Sequence, residues 1–541
     1  MQYPVALQLH NLISAPSSPE PNAIVPESTA KVIKITNCRV LRDGKIVDKD
    51  AIWIQDGKII DPHKFFWYQK RLPDEVLDAE GLLVSPGFIE AQINGAFGVD
   101  FSVPSDQETY ERDLTKVSRG LLKYGTTSYC PTIVSSSAAV YHKVLPLLKP
   151  RPGSSDSGAS ILGAHVEGPF INEARVGAHE RKVLQASANN GYHDFKSVYG
   201  LEGATPEEQR KLRDMDLHSV KIITCAPELD GVMESIPDLV KAGITVSVGH
   251  SMANTSEAEK AVLQGATFIT HLFNAMPQFH HRDPGVIGLL GSRLDLPRPY
   301  YGLICDGIHV HPNSVKIAYD SHPEGVILVT DAMSAMGLSP GNYRLGNMNV
   351  SKESDRVVVE GTNVLAGSNA LIGPTIWSTS IVHSDVYEEH DVYDDCEHYE
   401  GSEHSLRIIS LSVSDTDDDG DVYDQALSGD TTGDDEDFTS FKPTSSPVLT
   451  DVNNDGDLCC PSSSVITLDA CMRNFIQFTS CSLVEALEAV TLHPAVLLGI
   501  QERKGVIKPG ADADLVFLSD DLYVKRVFVA GEEVDLGLIH V

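Results

Sequence analysis

The chain is 541 residues long, enough for two or three domains and a large buried core. It carries 76 acidic against 42 basic residues, a formal net charge of -34, which argues against nucleic acid or an anionic membrane as a partner of any general basic face. The excess is local, because residues 384–457 hold 23 acidic side chains against only Arg407 and Lys442.

Residues 1–30 contain Pro16, Pro19, Pro21 and Pro26 and neither a basic leader nor a long apolar run, so they read as a disordered tail. Residues 31–85 alternate apolar and polar positions around Asp43-Gly44 and Asp56-Gly57, the dipeptides of tight hairpins. Strands are expected at 31–47, 51–60 and 76–84, in a small antiparallel unit. From 86 to 370 the period changes. Strand-like runs at 87–93, 127–132, 161–167, 220–225, 244–249, 267–271, 301–305 and 326–330 alternate with helical patterns such as 107–124 and 256–264. Eight such units predict an α/β fold, a (β/α)8 TIM-like barrel, whose chemistry gathers at the C-terminal strand ends.

Residues 371–465 are an acidic low-complexity insertion in which Asp-Val-Tyr recurs at 385, 391 and 421. Such a composition buries too little apolar area to offset its ordering entropy, and disorder is expected. Asp415 to Gly420 and Asp451 to Gly456 each match the first half of a calcium loop. Position twelve is Ala426 in one and Ser462 in the other, where a glutamate is needed. Residues 466–500 complete the barrel through amphipathic helices at 468–478 and 482–489. Residues 501–541 add strands at 515–518 and 523–529. Neither chain end can bury a core alone, so 31–85 and 501–541 are expected to build one small β-sandwich together. Cys38, Cys130, Cys225, Cys305 and Cys471 lie in apolar runs and no zinc-type Cys pair occurs. Buried thiols in a reducing, cytoplasmic protein are the expectation, and no run is long and apolar enough to span a bilayer.

The polar residues at the strand ends carry the chemistry. His250 and His271 end parallel neighbours joined by one helix, which places two imidazoles side by side. Glu167, in His165-Val-Glu-Gly-Pro-Phe170, ends another strand. Two nitrogens and one carboxylate make the ligand count of a hydrolytic metal site with a position left for water, whose acidity the metal raises. Asp331, ending Val326-Ile-Leu-Val-Thr-Asp, is placed to take that water's proton and return it to a leaving amine. Glu228 is a further candidate ligand or a loop former.

Glu167-Gly-Pro-Phe, Gly249-His-Ser, Thr270-His-Leu-Phe-Asn-Ala-Met276, Asp306-Gly-Ile-His309, Thr330-Asp-Ala, Leu365-Ala-Gly-Ser368 and Pro509-Gly-Ala-Asp-Ala-Asp514 together resemble the N-acetylglucosamine-6-phosphate deacetylases of the amidohydrolase superfamily. The resemblance covers the chain from about Lys31 to its end, apart from the insertion. It implies hydrolysis of N-acetylglucosamine 6-phosphate to glucosamine 6-phosphate and acetate. It assigns the metal to Glu167, His250 and His271 and the general base and acid to Asp331. It also assigns substrate contacts to His179, Asn274, Ala275 and His309. Arg282 matches an arginine that reaches the phosphate from a neighbouring subunit, implying a homodimer. Many amidohydrolases bind two metals through His-x-His after the first strand. Here that position reads Gln92-Ile-Asn94, which predicts one divalent ion per subunit: zinc first, with iron, manganese or cobalt as alternatives. Two other readings remain open, a cyclic-amide hydrolase on the same barrel and a catalytically silent barrel acting as an interaction protein.

Overall fold

The computed structural model describes residues 30–66, 70–200, 219–346, 348–353, 356–359 and 465–539. The tail, the acidic insertion, its calcium-like hexads and Leu365 to Ser368 lie outside these residues.

Both chain ends share one sheet. Ile33–Arg42 pairs antiparallel with Lys45–Gln55, which pairs with Lys58–Ile59. The two turns are Asp43-Gly44 and Asp56-Gly57, with φ of 51° and 70°, then 52° and 72°, the doubly positive geometry of a type I′ hairpin. Leu515–Leu518 docks antiparallel on Leu83–Pro86 and carries Val524–Val529 at its far side. The sheet is mixed, which corrects the expectation of a purely antiparallel unit. The run expected as one strand at 76–84 divides into Glu75–Asp78 and Leu83–Pro86, and both pair parallel to Ile33–Arg42. Bulges between Ile35 and Cys38 and between Cys38 and Val40 bend that strand. The core they enclose holds Ile35, Val40, Ile52, Ile54, Leu515, Phe517 and Phe528.

The barrel strands are Phe88–Ile93, Thr126–Val134, Ala164–Glu167, Val220–Cys225, Thr245–Val248, Phe268–Ile269, Tyr300–Leu303 and Val326–Leu328, each parallel to the next. The seam between the eighth and first strands is closed in two ways. Above, Ile93 bridges Ala332, and Asp331 N donates to Gln92 O at 2.8 Å. Below, Ala489 and Val490 accept from Leu328 N and Ile89 N. Residues from beyond the insertion therefore complete the barrel wall.

Helices cover the barrel where their apolar faces predict. Gln107–Leu122 starts at Asp106, whose side chain accepts from Thr109 N, and buries Tyr110, Leu114, Val117 and Leu121. Thr255–Leu263 and Leu483–Glu488 open with reciprocal capping boxes, Asn254 with Glu257 and Ser482 with Glu485. Among the described residues no helix is long and apolar enough to cross a membrane. The six described cysteines are buried and free.

Candidate active site

The expected metal ligands follow three barrel strands. Glu167 is the last residue of its strand, while His250 and His271 lie two residues beyond theirs. His271 was expected inside the sixth strand, but the ladder stops at Ile269. Both histidines have positive φ, 50° and 26°, a backbone state that costs a non-glycine residue about 1–3 kcal/mol and persists only where the surroundings impose it.

Glu167 Oε1 stands 3.0 Å from His250 Nε2 and 2.9 Å from His271 Nε2, and the two nitrogens are 3.1 Å apart. His250 Nδ1 donates to the Arg175 carbonyl at 2.8 Å, so in the neutral ring Nε2 is a bare acceptor facing a carboxylate. Burial keeps His271 below the usual imidazole range. Burial works against ionisation of Glu167 too, but the hydrogen bonds and charges of the two rings outweigh it and hold the carboxyl well below its usual range. Two imidazole nitrogens and one carboxylate oxygen, all buried, lie within 4.8 Å of one another. Ligand atoms bound at about 2.0–2.2 Å to one tetrahedral ion stand roughly 3.3–3.6 Å apart, so an opening of a few tenths of an ångström lets the set take a divalent cation. Among the described residues it is the single cluster of this kind.

Asp331 lies three residues past the eighth strand, at φ 47°. Its Oδ1 accepts from Asn94 Nδ2 at 2.7 Å and from Gln92 Nε2 at 3.1 Å, and Gln92 Nε2 is also 3.2 Å from Glu167 Oε1. The Gln92 and Asn94 amides thus clamp one oxygen of Asp331 and leave Oδ2 buried, with no partner among the described residues. Burial and then the Glu167 charge push Asp331 well above the usual carboxyl range, against those two hydrogen bonds. A cation at Glu167 acts in the opposite sense and favours the carboxylate.

His179 is fixed in one tautomer. Its Nδ1 accepts from Ser135 N at 3.1 Å and lies 2.7 Å from Ser135 Oγ, so the proton sits on Nε2, which is buried and has no partner among the described residues. Burial, with the neighbouring His250 ring, brings its pKa down to about 3. His179 is a neutral hydrogen-bond donor, its ring centroid 4.5 Å from that of His250.

Asn274 N donates to His271 O at 2.9 Å, and both polar atoms of its buried amide lack partners among the described residues. Ala275 adjoins it at φ 51°. His309 Nδ1 donates to Asp306 Oδ2 at 2.8 Å, and its buried Nε2 has no partner among the described residues. An orphaned buried polar group costs about 1–3 kcal/mol, so this concentration of them after the barrel strands marks a surface shaped for a polar ligand. Two expected residues stand apart. Arg282 is exposed, and no contact among the described residues joins its guanidinium to the cluster. Glu228 accepts from Asn172 Nδ2, Ser251 Oγ and Met252 N and so binds the loops together rather than the ligand cluster. Ser135 carried no sequence signal, since it opens a run of three serines.

The amidohydrolase family profile matches residues 446–534. The chain is 38% identical over 505 residues to the N-acetylglucosamine-6-phosphate deacetylase of Bos taurus, covering 93% of this chain and 95% of the relative. It is 36% identical over 509 residues to that of Danio rerio, covering 94% and 98%. The crystal structure of N-acetylglucosamine-6-phosphate deacetylase from Pasteurella multocida shares the fold at a TM-score of 0.61 and 22% identity, over 93% of this chain and 99% of that one. Identity of this level along nearly the whole of both chains leaves no large part of the relatives unmatched, and the chain belongs to the N-acetylglucosamine-6-phosphate deacetylase family of amidohydrolases.

Proposed function

We propose that the chain hydrolyses N-acetylglucosamine 6-phosphate to glucosamine 6-phosphate and acetate, with one divalent ion, zinc first among candidates, held by Glu167, His250 and His271. The observation that carries this reading is the convergence of those three donor atoms beside a carboxylate with one free oxygen. When bound, the ion polarises the acetyl carbonyl and acidifies water. His179 donates its Nε2 proton in a hydrogen bond to the carbonyl oxygen, which takes up charge as water adds to the carbon. Asp331 Oδ2 takes the proton released by that water and delivers it to the amine nitrogen as the C–N bond breaks. The Gln92 and Asn94 amides keep Oδ1 occupied, so a single oxygen serves both transfers.

Asn274, the Ala275 backbone N–H and His309 supply donors for the sugar phosphate, and Arg282 serves the site of a second copy in a homodimer. The sequence divisions at 85, 370, 465 and 500 are part of the same reading, as is a cytoplasmic location. Acetate release from N-acetylglucosamine 6-phosphate by zinc-loaded protein tests it, with dihydroorotate as the control substrate and a chelated sample beside it. Release only from the sugar phosphate, lost on chelation, is expected. Turnover of dihydroorotate, or none of either, refutes it.

A further inference from the structure

A second polar cluster crosses the barrel core beneath the ligands. His165, Thr224, Ser247 and Thr270 come from or directly follow the third, fourth, fifth and sixth strands, and all four are fully buried. His165 Nδ1 lies 3.1 Å from Ala91 O and its Nε2 lies 2.7 Å from Thr224 Oγ1. Thr224 Oγ1 is 2.7 Å from Thr270 Oγ1, which is 2.5 Å from Ser247 Oγ. One proton arrangement satisfies every neutral member. A carbonyl only accepts, so Nδ1 carries the ring proton and Nε2 accepts from Thr224; Thr224 then accepts from Thr270, and Thr270 from Ser247.

Each member borders a ligand. His165 precedes Glu167 by two residues, Ser247 precedes His250 by three, and Thr270 adjoins His271, while Thr224 is the ladder partner of both Glu167 and Ser247. His271 is where this matters most. A metal-binding imidazole normally donates its second ring proton to an outer partner that orients it, as Arg175 O does for His250. Among the described residues the buried His271 Nδ1 has no such partner, so its backbone sets the ring, and Thr270 anchors that backbone. Gly249 leaves room for the pair: a Cβ there would stand 2.6 Å from Thr270 Cβ and 2.9 Å from Thr224 Cγ2.

We propose that the His165–Thr224–Thr270–Ser247 chain is a positioning device for the cation site, holding the ligand-bearing strand ends in the geometry that one divalent ion needs. The proposal rests on the metal-centre reading above. Thr224→Val keeps the side-chain shape and cuts the chain at its middle, while Thr224→Ser keeps the hydroxyl. Zinc release from the loaded proteins to a chelating dye gives both off-rate and affinity, and a melting curve of each loaded protein checks folding. The valine variant is expected to hold zinc about tenfold more weakly and the serine variant to match the parent within about twofold. Parental retention in the valine variant overturns the proposal, as does equal loss in both, which would assign the effect to packing. If Thr224→Val does not fold, Ser247→Ala at the end of the chain gives the same reading: weaker retention supports the device and full retention overturns it. Glu167→Gln separates the two inferences, because zinc retention in that variant would remove the metal centre itself.

Discussion

At the scale of single residues the site depends on which atom holds a proton and which oxygen is left free. Asp331 presents only Oδ2, its other oxygen being bound by Asn94 and Gln92. Asp331→Asn is therefore expected to lower kcat about 10²- to 10⁴-fold with little change in KM and with the metal still bound, checked by acetate release and metal analysis. A drop confined to KM would make Asp331 a binding group instead. A second carboxyl gives a pH signature. Glu90 is buried in the first strand, accepting from Gln92 N and Thr330 N, and burial raises its pKa from 4.5 to about 8 against those bonds. Its folded value lies above its unfolded one, so the stability tied to it is complete below about 4.5 and is lost as the pH rises toward 8. Glu90→Gln removes that dependence. The variant should melt higher than the parent at pH 8.5, with the difference shrinking toward pH 5, and parallel melting curves at both values would show that Glu90 stays ionised in the fold.

At the scale of elements, buried Lys504 links the C-terminal part of the small sheet to the barrel. Lys504 Nζ lies 2.5 Å from Asp514 Oδ2, 3.3 Å from Asp512 Oδ2 and 3.4 Å from Ser160 Oγ, while Asp514 Oδ1 accepts from Ala530 N and its carbonyl from Gly87 N. Lys504 and Asp514 are each 7% exposed. Lys504→Met strands a buried carboxylate, and a loss of about 3–5 kcal/mol is expected, read as a lower urea midpoint in the metal-loaded protein; a shift below about 1 kcal/mol would mean that water reaches Asp514. The sequence shows where such elements lie and conceals how they meet. The β-branched runs disclose all eight barrel strands, yet Phe268–Ile269 and Val326–Leu328 stop short of the expected 267–271 and 326–330 because His271 and Asp331 turn into positive φ. Strand propensity continues through them, and the site overrides it. The candidate ligands were legible because metal chemistry restricts residue type, so a histidine or glutamate at a strand end stands out. The amide clamp, the serine on His179 and the hydroxyl chain were not. Gln, Asn, Ser and Thr are common everywhere, and their meaning comes from partners distant in sequence, such as Gln92 and Asp331, which are 239 positions apart.

At the scale of the molecule, the unplaced piece is Arg282. It is exposed beside Phe279, His280 and His281 and makes no described contact with the site of its own chain, although a phosphate dianion needs a cation in a protein with a net charge of -34. If Arg282 serves the site of a second copy, a two-fold dimer holds two composite sites, each with Asp331 from one subunit and Arg282 from the other. Arg282→Ala alone should raise KM for the phosphorylated sugar far more than for N-acetylglucosamine. The stronger test mixes two crippled proteins. Arg282→Ala and Asp331→Asn subunits, exchanged at random, yield hybrids in half of the dimers, and each hybrid has one site with both native residues. About a quarter of the parental activity at subsaturating substrate should return. If Arg282 acts within its own chain, every site in the mixture carries one of the two defects and no activity is regained, so unchanged rates after verified subunit exchange would place the arginine back in its own subunit.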